Sequence, residues 1–276
     1  MRRESNPPPP DAADPPVPRV THDLHCHTHI STCATRECTL ELLVERAAGA
    51  GLSLLGVTDH INDGNAQRLA DIHRLAERVR SRAWPVEVRV GAEVSLLRPG
   101  RLAVAPEQVA GLDFFIISPN HYGVPGVEGP RAWTPAGVAA WVLEGAAAAV
   151  EARPLAVSHP FFHGWVGFVP PELVFASLDR ERLRGLFERA GELRVALELN
   201  ARKVCAAPAF FGELIALAGG TGVRFSLCSD AHAPNEMAYG GPEGREQYER
   251  LLTQLGLTPD LVWTAPWWAE RASGSL

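Results

Sequence analysis

The chain has 276 residues, 46% hydrophobic and 21% charged, an ordinary balance for a globular protein, and leaves room for one large domain or two small ones. Its formal net charge of −6 excludes a protein whose main task is holding nucleic acid, which needs a basic face against phosphates, so stable nucleic-acid binding is not expected. No apolar run approaches the ~20 residues that span a bilayer, so no membrane partner is expected, and five cysteines with no apolar leader imply reduced thiols in the cytoplasm.

Residues 1–19 hold seven prolines and few large apolar side chains, and read as a disordered lead-in. Beyond them, short β-type runs alternate with longer helical stretches, the pattern of βα units around a parallel sheet. The first run, Val20–His25, leads into Cys26 and His27 and precedes a helix over Thr39–Ala50, with Thr39 at its N-cap. Leu52–Thr58 leads into Asp59 and His60, then a helix over about Ala66–Arg82. Val86–Glu93 ends on Glu93, and Leu112–Ser118 runs into Asn120 and His121. A helix over Thr134–Arg153 follows, with Thr134 and Pro135 as its N-cap and N1 pair. Leu155–His159 precedes a helix over Arg180–Ala190, and Val195–Asn200 precedes one over Phe210–Gly219. Val223–Asp230 carries Asp230 and, just beyond, His232, ahead of a helix over Gly244–Leu255. In the tail, residues 264–276, Trp267 and Trp268 are expected to close the edge of the core. The expected fold is α/β, a single-domain, TIM-like (β/α) barrel of seven strands over residues 20–263.

Six of the seven runs end in or lead into His, Asp or Glu, and the seventh ends in Asn200. Parallel barrel strands open all their C-terminal ends on one face, so residues far apart in sequence converge there. Neutral imidazoles and carboxylates are the ligand types for zinc, manganese and iron, which points to a polynuclear site. His25 and His27 are two apart and face the same side of a strand, while Cys26 points away from them, toward the helices. Taken singly, His121 fits a hydrogen-bonded strand-end histidine, Asp230 a helix cap and Glu93 a loop acid. Their coincidence on one face favours ligation.

The segments Asp23-Leu24-His25-Cys26-His27-Thr28, Thr58-Asp59-His60, Gly91-Ala92-Glu93, Asn120-His121, Ser158-His159-Pro160 and Ser229-Asp230-Ala231-His232 together resemble the PHP (polymerase and histidinol phosphatase) family, in order from about residue 20 to residue 235. The resemblance implies a distorted seven-stranded barrel, two or three divalent cations (zinc, manganese or iron) and hydrolysis of phosphate esters. It implies that His25, His27, Glu93 and Asp230 hold one cation, that Glu93 bridges to a second taking His121 and His159, and that His60 and His232 help hold a third. Six residues past His27, where the family usually places a His or Asp for the third position, stands Cys33, which either ligates as a thiolate or weakens that position. His22, His29, His73 and His163 match no ligand motif. Of these, His73 is expected on a solvated helix face and His163 close to the pocket.

With metals in place, a water acidified by two cations is expected to attack phosphorus in line, with Glu93 and Asp230 essential and His232 or His60 protonating the leaving alkoxide. Arg36, Arg202 and Lys203 are candidates to hold a substrate phosphate, each also readable as a solvated loop cation. The expected partner is a small phosphorylated molecule, a phosphomonoester or nucleotide, histidinol phosphate being one that the family suggests. Two other readings stay open. An amidohydrolase-like deaminase or amidase also uses H-x-H after its first strand, but it often bridges its metals with a mid-barrel carboxylated lysine, and the sole lysine here, Lys203, follows the sixth strand. A non-catalytic PHP-like module is the other.

Overall fold

In a computed structural model of the chain, residues 18–162, 165–267 and 269 are described. The strands are β1 (His22–Cys26), β2 (Leu54–Ile61), β3 (Glu87–Arg98), β4 (Arg101–Leu102), β5 (Ile116–Ser118), β6 (Ala156–Val157), β7 (Ala196–Asn200) and β8 (Phe225–Cys228). Seven of them pair in parallel in the order β1-β2-β3-β5-β6-β7-β8, while β4 folds back antiparallel on β3. The main helices are α1 (Leu40–Gly49), α2 (Leu69–Arg80), α4 (Pro135–Glu151), α6 (Arg180–Leu193), α8 (Pro208–Ala218) and α9 (Pro242–Gln254), with shorter α3 (Pro106–Val109), α5 (Pro171–Ser177) and α7 (Ala201–Ala206) between them. This is the TIM-like barrel that the alternation of runs implies.

Two apolar layers build it. Strands covered on both faces read as continuous apolar runs, and β1, β7 and β8 are buried throughout. Leu24, Leu54, Phe114, Ile116, Leu155, Ala156, Ala196 and Trp263 form a core of their own, to which Trp267 adds a partly buried ring. Phe114 fits because Gly56 and Gly91 lack side chains: a Cβ at either would come within 2.8 Å of Phe114 atoms. Cys26, as its alternation with the two histidines requires, joins the larger core along with Val57, Ile72, Val142 and Phe187. Thr39 accepts a hydrogen bond from Leu42 N and Thr134 from Gly137 N, so both caps form as read from the sequence.

The barrel is nearly closed, with its seam between β1 and β8. β1 shifts register against β2 between Asp23 and Cys26, and across the seam Asp230 N donates to His25 O at 2.8 Å and His27 N to Ala231 O at 3.0 Å. Nearer the start of β1, side chains replace the missing ladder. Leu227 N donates to His22 Nε2 at 3.1 Å, and Ser229 N donates to Asp23 Oδ1 at 3.0 Å. Burial holds His22 down to about 4, so it stays a neutral acceptor, and pushes Asp23 up to about 6.

Three local expectations change. Residues 66–68 form a 3-10 turn and the helix proper starts at Leu69. Glu93 lies within β3 rather than at its end, because Val94–Leu97, apolar but for Ser95, carries the strand on to pair with β4, and β2 runs on beside it through His60 to Ile61. His73 is half-buried, its Nε2 3.0 Å from Gln108 O, instead of being freely solvated. Most of the lead-in, together with His163 and Trp268, lies outside the described residues. Among those residues, no helix is long and apolar enough to cross a membrane.

Candidate metal centre

The strand ends bring His25, His27, His60, Glu93, His121, His159, Asp230 and His232 into one cluster. His25 Nε2 and His27 Nε2 face each other at 3.0 Å, and Asp230 Oδ1 lies 3.4 Å and 3.2 Å from them. Glu93 Oε2 lies 3.4 Å from the first imidazole and 3.8 Å from the second. Four ligand atoms held tetrahedrally by bonds of ~2.0–2.1 Å would be about 3.3 Å apart, so this quartet has the dimensions of one cation site. Its chemistry agrees. Two imidazole lone pairs turned on each other repel unless something positive lies between them, and buried Glu93 Oε2 accepts no well-directed hydrogen bond although His60 Nδ1 is 2.6 Å away. These donors fit a divalent cation.

The second oxygen of Glu93 serves the other side. Oε1 lies 3.1 Å from His159 Nε2 and 3.9 Å from His121 Nε2, and accepts from Ser158 Oγ at 2.8 Å. His60 stands between groups: with Glu93 and His121 it forms one candidate ligand set, with His27 and His232 another. His60 Nε2 is 3.4 Å from His232 Nε2, and Cys33 lines the same cleft of about 340 Å³ as both. Burial would raise the Cys33 thiol, but hydrogen bonds with His232 and His60 bring it down to about 6.

The electrostatics are those of a cation site filled by protons. Burial alone would neutralise Glu93 and Asp230, yet His25 and the other imidazoles and, for Asp230, Lys203 as well, hold both far below the carboxylate range. Burial likewise opposes charge on His25 and His60; Glu198 and Glu93 overcome it on His25, and Glu93 and Cys33 raise His60 to about 10. His27, His121 and His159, where burial prevails, are pushed down and kept neutral, as ligands must be. Two residues of the cluster also carry unusual backbone: His159 has φ 28° and Asp230 φ 55°.

The proposed phosphate-binding residues divide. Lys203 Nζ is 3.2 Å from Asp230 Oδ2, and Arg202 donates to Asp230 O and Glu236 Oε1, so both border the cluster. Arg36 is exposed and does not line the cleft; Arg68, overlooked in the sequence because it falls on a helix rather than a strand end, does. Glu198 was also passed over. Its place two residues before Asn200, inside an apolar strand, was the available signal, since an acid there faces the barrel interior. Asp59 accepts from Thr28 N, Thr28 Oγ, Ser31 N and Ser31 Oγ, fixing the loop that leads to Cys33.

Residues 23–140 match the family model of the PHP domain. The chain carries a PHP domain. That match takes in His25, His27, Cys33, His60, Glu93 and His121, while His159, Asp230 and His232 reach the cluster from the part of the barrel beyond it. The PHP domain makes the protein a metal-dependent phosphoesterase. In structure the chain resembles histidinol phosphate phosphatase from Lactococcus lactis, solved with zinc, L-histidinol and phosphate, at 19% identity and a TM-score of 0.63 over 86% of this chain and 94% of that one. No curated protein matches it in sequence.

Proposed function

We propose that this phosphoesterase hydrolyses small phosphomonoesters or nucleotides with two or three divalent cations, zinc, manganese or iron. The observation that carries the reading is Glu93, whose two oxygens face two ligand sets, His25, His27 and Asp230 on one side and His159 and His121 on the other. Zinc in the Lactococcus neighbour supports the metal class. When bound, the cations supply Lewis acidity, acidifying water and offsetting charge that develops on the phosphate. Lys203 and Arg202, held at Asp230, and Arg68 at the cleft wall supply positive charge to orient phosphate oxygens. His232, a quarter exposed, is the better placed of the two histidines to protonate the leaving alkoxide, because His60 is tied to Glu93. Cys33, His60 and His232 line a third, softer position, and His232 serves as the acid only while no cation there takes its ring lone pair.

Lys203 is engaged by Asp230 and Glu93 occupies the bridging place, which disfavours the amidohydrolase-like reading. The full set of ligand types disfavours a non-catalytic module. Residues 20–263 are taken as one domain, and the free thiols suit a reducing cytoplasm.

The test is a panel of phosphomonoesters and short oligonucleotides incubated with the purified chain, with manganese and with zinc. Release of inorganic phosphate from the small esters, abolished by chelator and with no phosphorylated side chain trapped on quenching, is expected. Ammonia release from an amide or amine panel, or no turnover of any ester at saturating metal, overturns the reading.

A further inference from the structure

We infer that Glu198 is a positioning residue that ties the two cation positions together from beneath. It lies on β7, buried at 2% exposure, and touches neither face of the cleft. Both its oxygens lie within reach of His25 Nδ1, at 3.0 Å and 3.1 Å, and Oε2 also accepts from the backbone N of His159 at 3.0 Å. One carboxylate thus holds a histidine from each ligand set facing Glu93.

Each contact has a separate consequence. An acceptor at Nδ1 keeps the His25 proton on that nitrogen, leaving the Nε2 lone pair directed at His27 and Asp230; without it the ring can take the other tautomer or rotate. At His159 the carboxylate meets the N–H of a residue with φ 28°, a conformation that costs energy and persists only where its surroundings fix it. Asn120 Nδ2 holds the following turn from the other side through His159 O at 3.4 Å and Pro160 O at 3.1 Å. Since the same carboxylate serves both histidines, displacing either disturbs the other. Loading of one position therefore orders the second, and the two cations bind with positive cooperativity that runs through Glu198.

The inference rests on His25 and His159 being ligands, and the experiment separates the two. Zinc and manganese binding to metal-free wild type, Glu198→Gln and Glu198→Ala is measured by calorimetry and by elemental analysis after dialysis, alongside the melting temperature of each metal-free protein. Nitrogen-15 spectra of the zinc-loaded proteins report which His25 nitrogen keeps its proton. Wild type is expected to bind at least two cations cooperatively and to carry its His25 proton on Nδ1. Glu198→Gln, which keeps the volume and one acceptor, is expected to lose about 10–100-fold in affinity and its cooperativity, with the larger loss in Glu198→Ala. Variants that bind as wild type does, or a wild-type His25 protonated on Nε2 alone, overturn the inference even where Glu198→Ala fails to fold. A wild type that binds no cation overturns the metal reading instead.

Discussion

Glu93 and Asp230 are buried carboxylates that stay ionised only because imidazoles and Lys203 surround them, an arrangement that suits cations better than protons. Glu93→Gln leaves one oxygen and a donor where two acceptors stood, so it is expected to lower turnover by more than about 100-fold and to release metal, the fold being retained. Asp230→Asn is expected to do the same while freeing Lys203. Turnover near wild type at saturating metal in either variant, with circular dichroism confirming the fold, would remove these residues from the site. Cys33 gives a separate prediction. As a ligand it is shielded by metal, so its alkylation by iodoacetamide should accelerate after chelation, and Cys33→Ser should lose about one equivalent of zinc. Alkylation indifferent to chelator would make Cys33 a plain loop thiol.

At the scale of elements, the seam between β1 and β8 decides where Asp230 stands. The Asp23 carboxylate takes the Ser229 N–H that a continuous ladder would have paired, and its neighbour His22 takes that of Leu227. Asp23→Ala strands a buried donor, so thermal or urea unfolding is expected to show a loss of about 1–3 kcal/mol. Because the stranded N–H lies one residue before Asp230, metal affinity should fall along with stability. Unchanged affinity in a destabilised Asp23→Ala protein would mean that the hydrogen bonds from Asp230 N to His25 O and from His27 N to Ala231 O hold the β8 end without it.

For the whole molecule, a cation held by this cluster would link binding to folding, since the proposed ligands come from strands spread over the entire barrel. A cation at 100 times its Kd adds about 2.7 kcal/mol to stability. Chelation should therefore lower the melting temperature by ~5–10 °C for a chain of this size. The pH dependence has a definite sign. His60, raised to about 10, and His25, also raised, carry protons in the metal-free protein at neutral pH and must release them to bind a cation. Metal affinity is thus expected to climb as pH rises from 6 toward 10, with proton release detectable by calorimetry in buffers of different ionisation enthalpy. Affinity that is flat over that range would mean that neither histidine is a ligand.

By itself the sequence determined the barrel and the types of atom at its mouth. A period of runs and helices fixes βα units, and a residue at a strand end has one place to go once strands are parallel. His25, His27, His121, His159, Asp230 and His232 were legible for that reason. Only the tertiary structure decided the groups whose role depends on a partner distant in sequence. Glu198 reads as one acid in an apolar strand until His25 and His159, from 173 and 39 residues away, close on its oxygens. Lys203 reads as a loop cation until Asp230 takes its charge, and Arg68 enters the cleft wall where Arg36 does not. Sequence periodicity carries which face a side chain takes; which atom it meets there is set by barrel closure, and no local pattern encodes that.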